Sequence, residues 1–185
     1  MSKILVVSGH TDLKNSFANK IILGELKRLL PEAKFDILSE LYADYRIDVA
    51  AEQEKLINAD IVVFQFPFFW YSMPSLMQKW LEDVFVHGFS HGRTGDKLRG
   101  KKLVISFTSG APEEMYQKTG LQNYEIDEFL PPLKQTANIC GMQFWGVVYS
   151  GGLSYQSRHD EEKLAVMHQK AILHAKRVAE LVKNL

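Results

Sequence analysis

The stretch DIVVFQFPFFWYSMPSLMQKWLEDVF, residues 60–85, decides the fold. An almost wholly apolar run over residues 61–66 ends at Pro67, and four consecutive aromatic residues, 68–71, follow it. Apolar runs of this length are typical of strands that are buried on both faces of a parallel sheet. In open α/β sheets, ligands bind outside the carboxyl ends of the strands. The aromatic loop therefore predicts a flat, largely apolar ligand at the end of this strand.

The remaining patterns predict strands that alternate with helices. Strands are expected at residues 3–7, 35–38, 60–66, 101–107 and 142–149, and helices at 16–30, 49–59, 74–85, 126–140 and 161–182. Pro131 and Pro132 indicate that the fourth helix starts later, because proline fits a first helical turn. The alternation predicts an α/β, flavodoxin-like three-layer sandwich, with a five-stranded parallel sheet of order 2-1-3-4-5. With no repeat or linker, residues 1–185 are expected to form a single domain.

Composition excludes several classes of function. Lys and Arg together number 22, as do Asp and Glu, so no net field attracts nucleic acid. The single cysteine, Cys140, forms no internal disulfide, which favours a reducing compartment. The first ten residues lack a signal-peptide pattern, and no apolar run is long enough to span a bilayer. We expect a cytoplasmic protein with no nucleic-acid partner.

The predicted topology brings the loops at residues 8–16, 67–71 and 108–120 side by side. The first loop leads into a helix, whose N-terminal amides and dipole attract anions. Donors are expected from Ser8, His10, Asn15 and Ser16, with partial or full positive charge on His10. The alternative is a helix that is capped by Asn15 or Ser16 while His10 is merely exposed.

The other two loops suit a planar ring. Backbone amides of residues 68–71 are expected to reach the ring's polar edge while the side chains cover its face. The alternative is a hydrophobic dimer surface, and both hold if the ligand lies at a dimer interface. Thr108, Ser109 and Gly110 suit a tight turn with donors, although an ordinary turn uses the same residues. Together the loops predict flavin mononucleotide (FMN), which has a phosphate tail, a flat apolar face and a hydrogen-bonding edge.

Four segments also carry a family resemblance: IDVAAEQEKL at 47–56, FQFPFFWYSMP at 64–74, KWLEDVF at 79–85 and TSG at 108–110. They resemble the flavodoxin-like NAD(P)H:quinone oxidoreductases. Within that family the chain is most similar to the short ancillary proteins of glutathione-gated potassium efflux systems. The resemblance covers nearly the whole chain, and FQFPxxWYxxP is its specific part.

The resemblance implies an FMN-dependent enzyme in which NADPH or NADH passes a hydride to flavin N5 and a quinone or similar acceptor is then reduced, with ping-pong kinetics. It implies that the phosphate and ribityl chain are held by His10, Ser16, Phe17, Ala18 and Asn19, the ring by Pro67, Phe68, Phe69, Trp70 and Tyr71, and its pyrimidine end by Thr108, Ser109, Gly110 and Ala111. Tyr116 matches a tyrosine near the flavin edge and is the expected catalytic residue.

Two departures from the larger animal quinone reductases matter. Gln122 stands six residues beyond Tyr116, where those enzymes have a histidine, so that histidine's role is not carried over. The chain also lacks the C-terminal extension that accompanies FAD, which favours FMN over FAD.

The resemblance further implies a homodimer and a membrane potassium-efflux protein as partner, with the chain peripheral at the inner face of the membrane. A regulatory ancillary subunit, with flavin as a structural or sensing element, is therefore the alternative function. A flavodoxin-type electron carrier is a third hypothesis, against which the neutral charge and the aromatic loop count.

Other residues are expected to be structural. No metal site is predicted at His87 and His91, because Gly88 and Gly92 disfavour a helix there, and a mobile loop near the pocket mouth is expected instead. Cys140 is interpreted as a core residue. Tyr155 and His159 follow a Gly-Gly turn and are expected in a solvated loop, with a reach toward the ligand as the alternative. Lys170, Lys176 and Arg177 are expected on the solvated face of the last helix.

Overall fold

The computed structural model describes residues 2–185, apart from the side chain of Arg158. A five-stranded sheet, parallel throughout, has the order β2-β1-β3-β4-β5. Its strands are β1 Ile4–Ser8, β2 Lys34–Ile37, β3 Ile61–Pro67, β4 Lys102–Thr108 and β5 Gln143–Ser150. The predicted fold class and strand order are confirmed.

The helices lie on both sides of the sheet. They are α1 Ala18–Leu29, α2 Leu38–Leu41, α3 Val49–Asn58, α4 Ser75–Val84, α5 Pro131–Ile139 and α6 Glu161–Lys183. Short 3₁₀ turns occur at Leu13–Asn15, Glu113–Met115, Ile126–Phe129 and Tyr155–His159. One apolar cluster joins α1 and α6 to one face of the sheet, and a second joins α2 to α5 to the other. In the part of the chain described, no helix is both long and apolar enough to cross a membrane.

The α5 region differs from the predicted helix at residues 126–140. The structure breaks this segment into the Ile126–Phe129 turn and α5, which begins at Pro131. Two consecutive prolines cannot donate helical hydrogen bonds, but the first turn of a helix needs none from them. The start that the two prolines indicated is therefore the observed one.

The segment that contains His87 and His91 lies at the edge of the sheet opposite the loops at residues 8–16, 67–71 and 108–120. It connects α4 to Lys102, which pairs with Ile61 where both strands begin. The expected position near the pocket mouth is therefore wrong, because α4 carries the chain back to the amino ends of the strands. The two imidazole rings meet edge to face, 5.8 Å between centroids. Among the described residues, no group of three or more His, Cys, Asp or Glu side chains is placed to hold a metal ion.

A buried carboxylate connects α3 to its neighbours. Glu52 is 0% exposed, and its Oε1 accepts hydrogen bonds from Tyr42 Oη at 2.6 Å and Lys55 Nζ at 2.5 Å. Its Oε2 accepts from Trp80 Nε1 at 2.7 Å. Lys55 also pairs with Asp36 of β2 at 2.9 Å, and burial raises the pKa of Asp36. A charge this deep is tolerated because its lone pairs are used.

Glu52→Ala is expected to lower the free energy of unfolding by about 3–5 kcal/mol, because it leaves the buried donors of Tyr42 and Trp80 without an acceptor and removes one of the two partners of Lys55. Glu54→Ala, on the exposed face of the same helix, serves as the control and should change it by less than about 0.5 kcal/mol. Urea denaturation measures both, and equal losses would contradict the assigned role of Glu52.

Candidate active site

A cleft of about 660 Å³ lies at the carboxyl edge of the sheet, in the size range of small-ligand pockets. Loops that follow β1, β3, β4 and β5 form it. The predicted residues that line it are His10, Ser16, Phe17, Ala18, Asn19, Pro67, Phe68, Phe69, Thr108, Ser109 and Gly110. Trp70, Tyr71, Ala111 and Tyr116 do not line this cleft. The topology therefore brings together most of the predicted set, whose role in binding stays a prediction.

The N-terminus of α1 forms the anion-attracting end of the cleft. Phe17 occupies the N-cap position without a side-chain cap, and the first turn contains no acidic residue. Ser16 Oγ accepts from Asn19 N at 3.3 Å, so a capping role for Ser16 coexists with a place in the cleft wall. The helix dipole and N-terminal amides here favour a negatively charged group.

His10 is set up as a neutral donor. Its Nδ1 accepts from Asp12 N at 3.0 Å, which leaves the proton on Nε2. Burial lowers the pKa of His10 and outweighs the opposite effect of the Asp12 carboxylate. The expectation of a full positive charge is corrected accordingly, because the side chain is largely removed from water.

Of the other two expected donors of the first loop, Asn15 lines the cleft but uses its side-chain amide locally, and Ser8 does not line the cleft. Asn15 Nδ2 donates to Asp12 Oδ2 at 2.8 Å. Ser8 is 1% exposed at the end of β1 and does not line the cleft. The Ser8 hydroxyl has no hydrogen-bond partner among the described residues, so burial rather than another bond keeps it from the cleft.

The aromatic loop is a two-residue hairpin. Phe69 N donates to Ser72 O at 3.1 Å, and Ser72 N donates to Phe69 O at 3.0 Å. Trp70 and Tyr71 between them have φ values of 49° and 64°, the sign pattern of a type I′ turn. Bulky residues seldom adopt this conformation, and such strain concentrates at functional sites.

The hairpin divides the aromatic residues into two groups. Phe68 and Phe69 face the cleft, whereas Trp70 is 92% exposed and Tyr71 stacks on Phe129 at 5.5 Å. Phe68 N donates to Thr108 O at 2.7 Å and Phe69 N to Ser72 O, so these two amides are already engaged. The expectation that they reach a ring edge is corrected, because the strand ladder and the hairpin use them.

The third loop carries a pair of tyrosines. Ser109 Oγ donates to Ala111 O at 2.7 Å and lies 2.7 Å from Tyr149 Oη. Tyr116 lies beside Tyr149, 5.9 Å between ring centroids, and 6.4 Å from the ring of Phe68. Burial raises the pKa of both tyrosines, so both hydroxyls keep their protons at neutral pH.

Polar side chains behind the cleft form a buried chain of hydrogen bonds. His174 of α6 is 0% exposed; its Nε2 lies 2.8 Å from Ser106 Oγ and its Nδ1 2.9 Å from Ser150 Oγ. Gln65 bonds to Ser106 and to Asn19. Arg177 and Lys176 are both exposed, as expected of a solvated face, but Arg177 also donates to Ser150 Oγ at 2.7 Å and to Tyr149 O at 2.6 Å.

Sequence reasoning missed several residues that line the cleft. They are Thr11, Asp12, Lys14, Lys20, Leu153, Ser154 and Met167. Tyr155, which is 60% exposed, also lines the cleft, in agreement with the alternative position predicted for it near the ligand. The rule that placed the first three loops also applies to β5, because parallel strands share one carboxyl edge. Applied to β5, it finds residues 153–155.

A parallel sheet of order 2-1-3-4-5, with a ligand cleft at the switch between β1 and β3, defines a flavodoxin-like protein. Residues 2–174 match the family model Flavodoxin_2, described as a flavodoxin-like fold, and the chain belongs to this family.

Its relatives include both groups that the sequence resembles. The chain is 37% identical over 163 residues to the uncharacterized NAD(P)H oxidoreductase YrkL of Bacillus subtilis, covering 88% of this chain and 93% of that one. It is 38% identical over 141 residues to KefF of Enterobacter sp., an ancillary protein of a glutathione-regulated potassium-efflux system, covering 76% and 78%. The general stress protein 14 of Treponema denticola, solved in complex with FMN, has a TM-score of 0.85 at 24% identity over 97% of this chain and 99% of that one, and shows the shared fold.

The buried state of His174 predicts a pH-dependent stability. Burial, assisted by the charge of Arg177, lowers the pKa of His174 from 6.5 to about 3. The unfolded chain takes up a proton below about pH 6.5 and the folded chain does not. The free energy of unfolding should therefore fall as the pH drops from about 6.5 towards 3, by at most about 1.4 kcal/mol per pH unit from this residue.

Urea denaturation of the wild type and His174→Gln between pH 7.5 and 4.5 tests this prediction. Carboxylates and His10 titrate in both proteins and cancel in the comparison. The stability advantage of the wild type should shrink as the pH falls, and parallel curves would show that His174 is not held neutral.

Proposed function

We propose that the chain is an FMN-dependent NAD(P)H:quinone oxidoreductase. The observation that carries the proposal is one cleft that joins the N-terminus of α1, which has no acidic residue in its first turn, the aromatic pair Phe68 and Phe69, and the turn at Ser109. Its polar end suits a phosphate, its aromatic wall a planar ring and its turn a hydrogen-bonding edge. The relative YrkL, named as an NAD(P)H oxidoreductase, supports the same class of activity.

The chain's residues suit FMN in a definite orientation. The first turn of α1, with Ser16 and Asn19, would hold the phosphate and ribityl chain. Phe68 and Phe69 would cover the ring, and Thr108 and Ser109 would meet its pyrimidine end. When bound, FMN supplies hydride acceptance from NADPH or NADH and electron transfer to an acceptor. Because one open cleft serves both substrates, the proposal includes ping-pong kinetics.

Tyr116 is the proposed catalytic residue. Its raised pKa keeps the hydroxyl protonated, and its ring lies in the aromatic group with Phe68 and Tyr149. A protonated phenol can donate a hydrogen bond to negative charge that develops at the edge of a bound ring. The chain contributes orientation and this donor.

The first experiment records the visible spectrum of the purified protein, adds FMN if none is bound, and then adds NADPH or NADH without oxygen. We expect bound flavin absorption that bleaches with at least one nicotinamide, followed by quinone reduction with parallel double-reciprocal plots. A protein that takes up no FMN would refute the proposal. Bound flavin that neither nicotinamide bleaches would favour the regulatory or carrier hypotheses.

A homodimer is part of the proposal. The hairpin presents Trp70, 92% exposed, with Tyr71 and Phe69, each more than 40% exposed, beside the cleft. A strained turn that projects aromatic residues into water suits a surface covered by a second copy of the chain.

Trp70→Ser should weaken dimerisation by at least about tenfold, because a central tryptophan contributes strongly to interface affinity. Trp145→Ser, which removes an exposed tryptophan from β5, is the matched control. Light scattering over a dilution series measures the equilibrium. A monomeric wild type, or equal effects of both substitutions, would overturn the proposed interface.

The alternative function is a regulatory subunit of a membrane potassium-efflux protein, which the 38% identity to KefF favours. The chain would then act from the cytoplasm at the inner face of the membrane. Potassium efflux from vesicles that contain such a transporter, measured with and without the protein, tests it. Stimulation without a need for nicotinamide would identify the regulatory role.

A further inference from the structure

We propose that Arg177 and His174 of α6 are positioning residues of the cofactor site, because they set the direction of a buried hydrogen-bond chain that makes the Thr108 hydroxyl a donor into the cleft. This inference rests on the proposed binding of FMN. It assigns a role in the site to a helix whose charges the sequence pattern places in solvent.

The chain of bonds runs without a gap from α6 to the cleft. Arg177 Nη2 lies 2.7 Å from Ser150 Oγ, and His174 bridges Ser150 and Ser106 at 2.9 and 2.8 Å. Ser106 Oγ then bonds to Gln65 Oε1. The last two bonds are Gln65 Nε2 to Asn19 Oδ1 at 3.0 Å and Asn19 Nδ2 to Thr108 Oγ1 at 3.2 Å.

Every side chain between the two ends is buried, from Ser150 at 4% exposed to Asn19 at 4%, with His174, Ser106 and Gln65 at 0%. Water is therefore excluded from this series of hydrogen bonds and cannot replace any of the partners within it. Arg177 lies at the exposed end. Thr108, 3% exposed, lies at the cleft end and lines the cavity.

Donor counting fixes one direction along this chain. Ser106 has a single hydroxyl proton and gives it to Gln65, so it must accept from His174 Nε2–H. His174 is neutral, because burial lowers its pKa to about 3, and its Nδ1 therefore accepts from the Ser150 hydroxyl.

Arg177 anchors the direction, since a guanidinium has donors and no acceptor. Ser150 gives its proton to His174 and accepts from Arg177. In the reverse direction, Ser150 Oγ would accept hydrogen bonds from both Arg177 and His174. Its own hydroxyl proton would then take no part in the series of hydrogen bonds. At the other end, Thr108 Oγ1 accepts from Asn19, so its own proton is free to point into the cleft.

Nitrogen NMR on the FMN-free protein gives the first readout. Long-range proton–nitrogen correlation reports which ring nitrogen of His174 carries the proton, and His174→Gln assigns the signal. We expect only the Nε2–H form in the wild type, a mixture in Arg177→Met, and recovery in Arg177→Lys, which restores a donor. Lys176→Met, which alters the exposed neighbour, should leave the signal unchanged.

FMN titration gives the second readout. Arg177→Met and Thr108→Val should each weaken FMN binding by about five- to tenfold, the size of one hydrogen bond. The double variant should bind FMN no more weakly than Thr108→Val alone, because both changes remove the same contact. Lys176→Met is again the control.

Two results would overturn the inference. One is an Nδ1–H form of His174 in the wild type, and the other is losses in FMN affinity that multiply in the double variant, as for independent stabilising residues. Wild-type protein that shows the expected His174 form but takes up no FMN would refute the proposed function and the cofactor role of Thr108, and leave the bond direction standing. The two failures are therefore distinguishable.

Discussion

The pairing of β3 between β1 and β4 is the constraint on which the site depends. Parallel pairing brings the carboxyl ends of the three strands to one edge, where Ser8 is opposite Gln65 and Pro67 is opposite Thr108. The backbone extends this pairing into the loops, with Gly9 N donating to Gln65 O at 2.8 Å and Phe68 N to Thr108 O at 2.7 Å. The loops therefore start from positions that the strand pairing fixes, and this pairing also fixes the relative positions of the residues that line the cleft.

Most of the buried polar side chains described at this sheet are hydrogen-bonded in pairs or networks, although Ser8 Oγ and Asp36 Oδ2 have no partner among the described residues. Burying an unpaired polar group costs free energy, whereas a fully connected network holds one arrangement. Glu52 meets this condition on one side of the sheet and Gln65 with His174 on the other. Of these two networks, the second reaches the cleft, where it ends at Asn19 and Thr108. We therefore assign the Glu52 network to stability alone, and the His174 network to stability and to the orientation of the Thr108 hydroxyl.

Much of the fold was predictable because apolar runs, prolines and alternating periods report local structure directly. The side-chain partners were not, because they depend on which elements meet in space. Arg177 has the sequence context of a solvated helix face, and its contact with Ser150 exists only once α6 packs beside β5. The hairpin at Trp70 and Tyr71 lacks the Asn-Gly pattern that announces a type I′ turn, so its left-handed backbone carried no signal.

That turn also limits how far the chain can be optimised. Positions 70 and 71 have the backbone conformation that glycine and asparagine adopt at least cost, yet they hold two of the bulkiest side chains. Thermostability engineering by favoured turn residues would relax the backbone there and erase the aromatic surface in the same step. The backbone conformation at positions 70 and 71 favours glycine or asparagine, whereas an aromatic surface requires large rings. The sequence has the large rings at both positions.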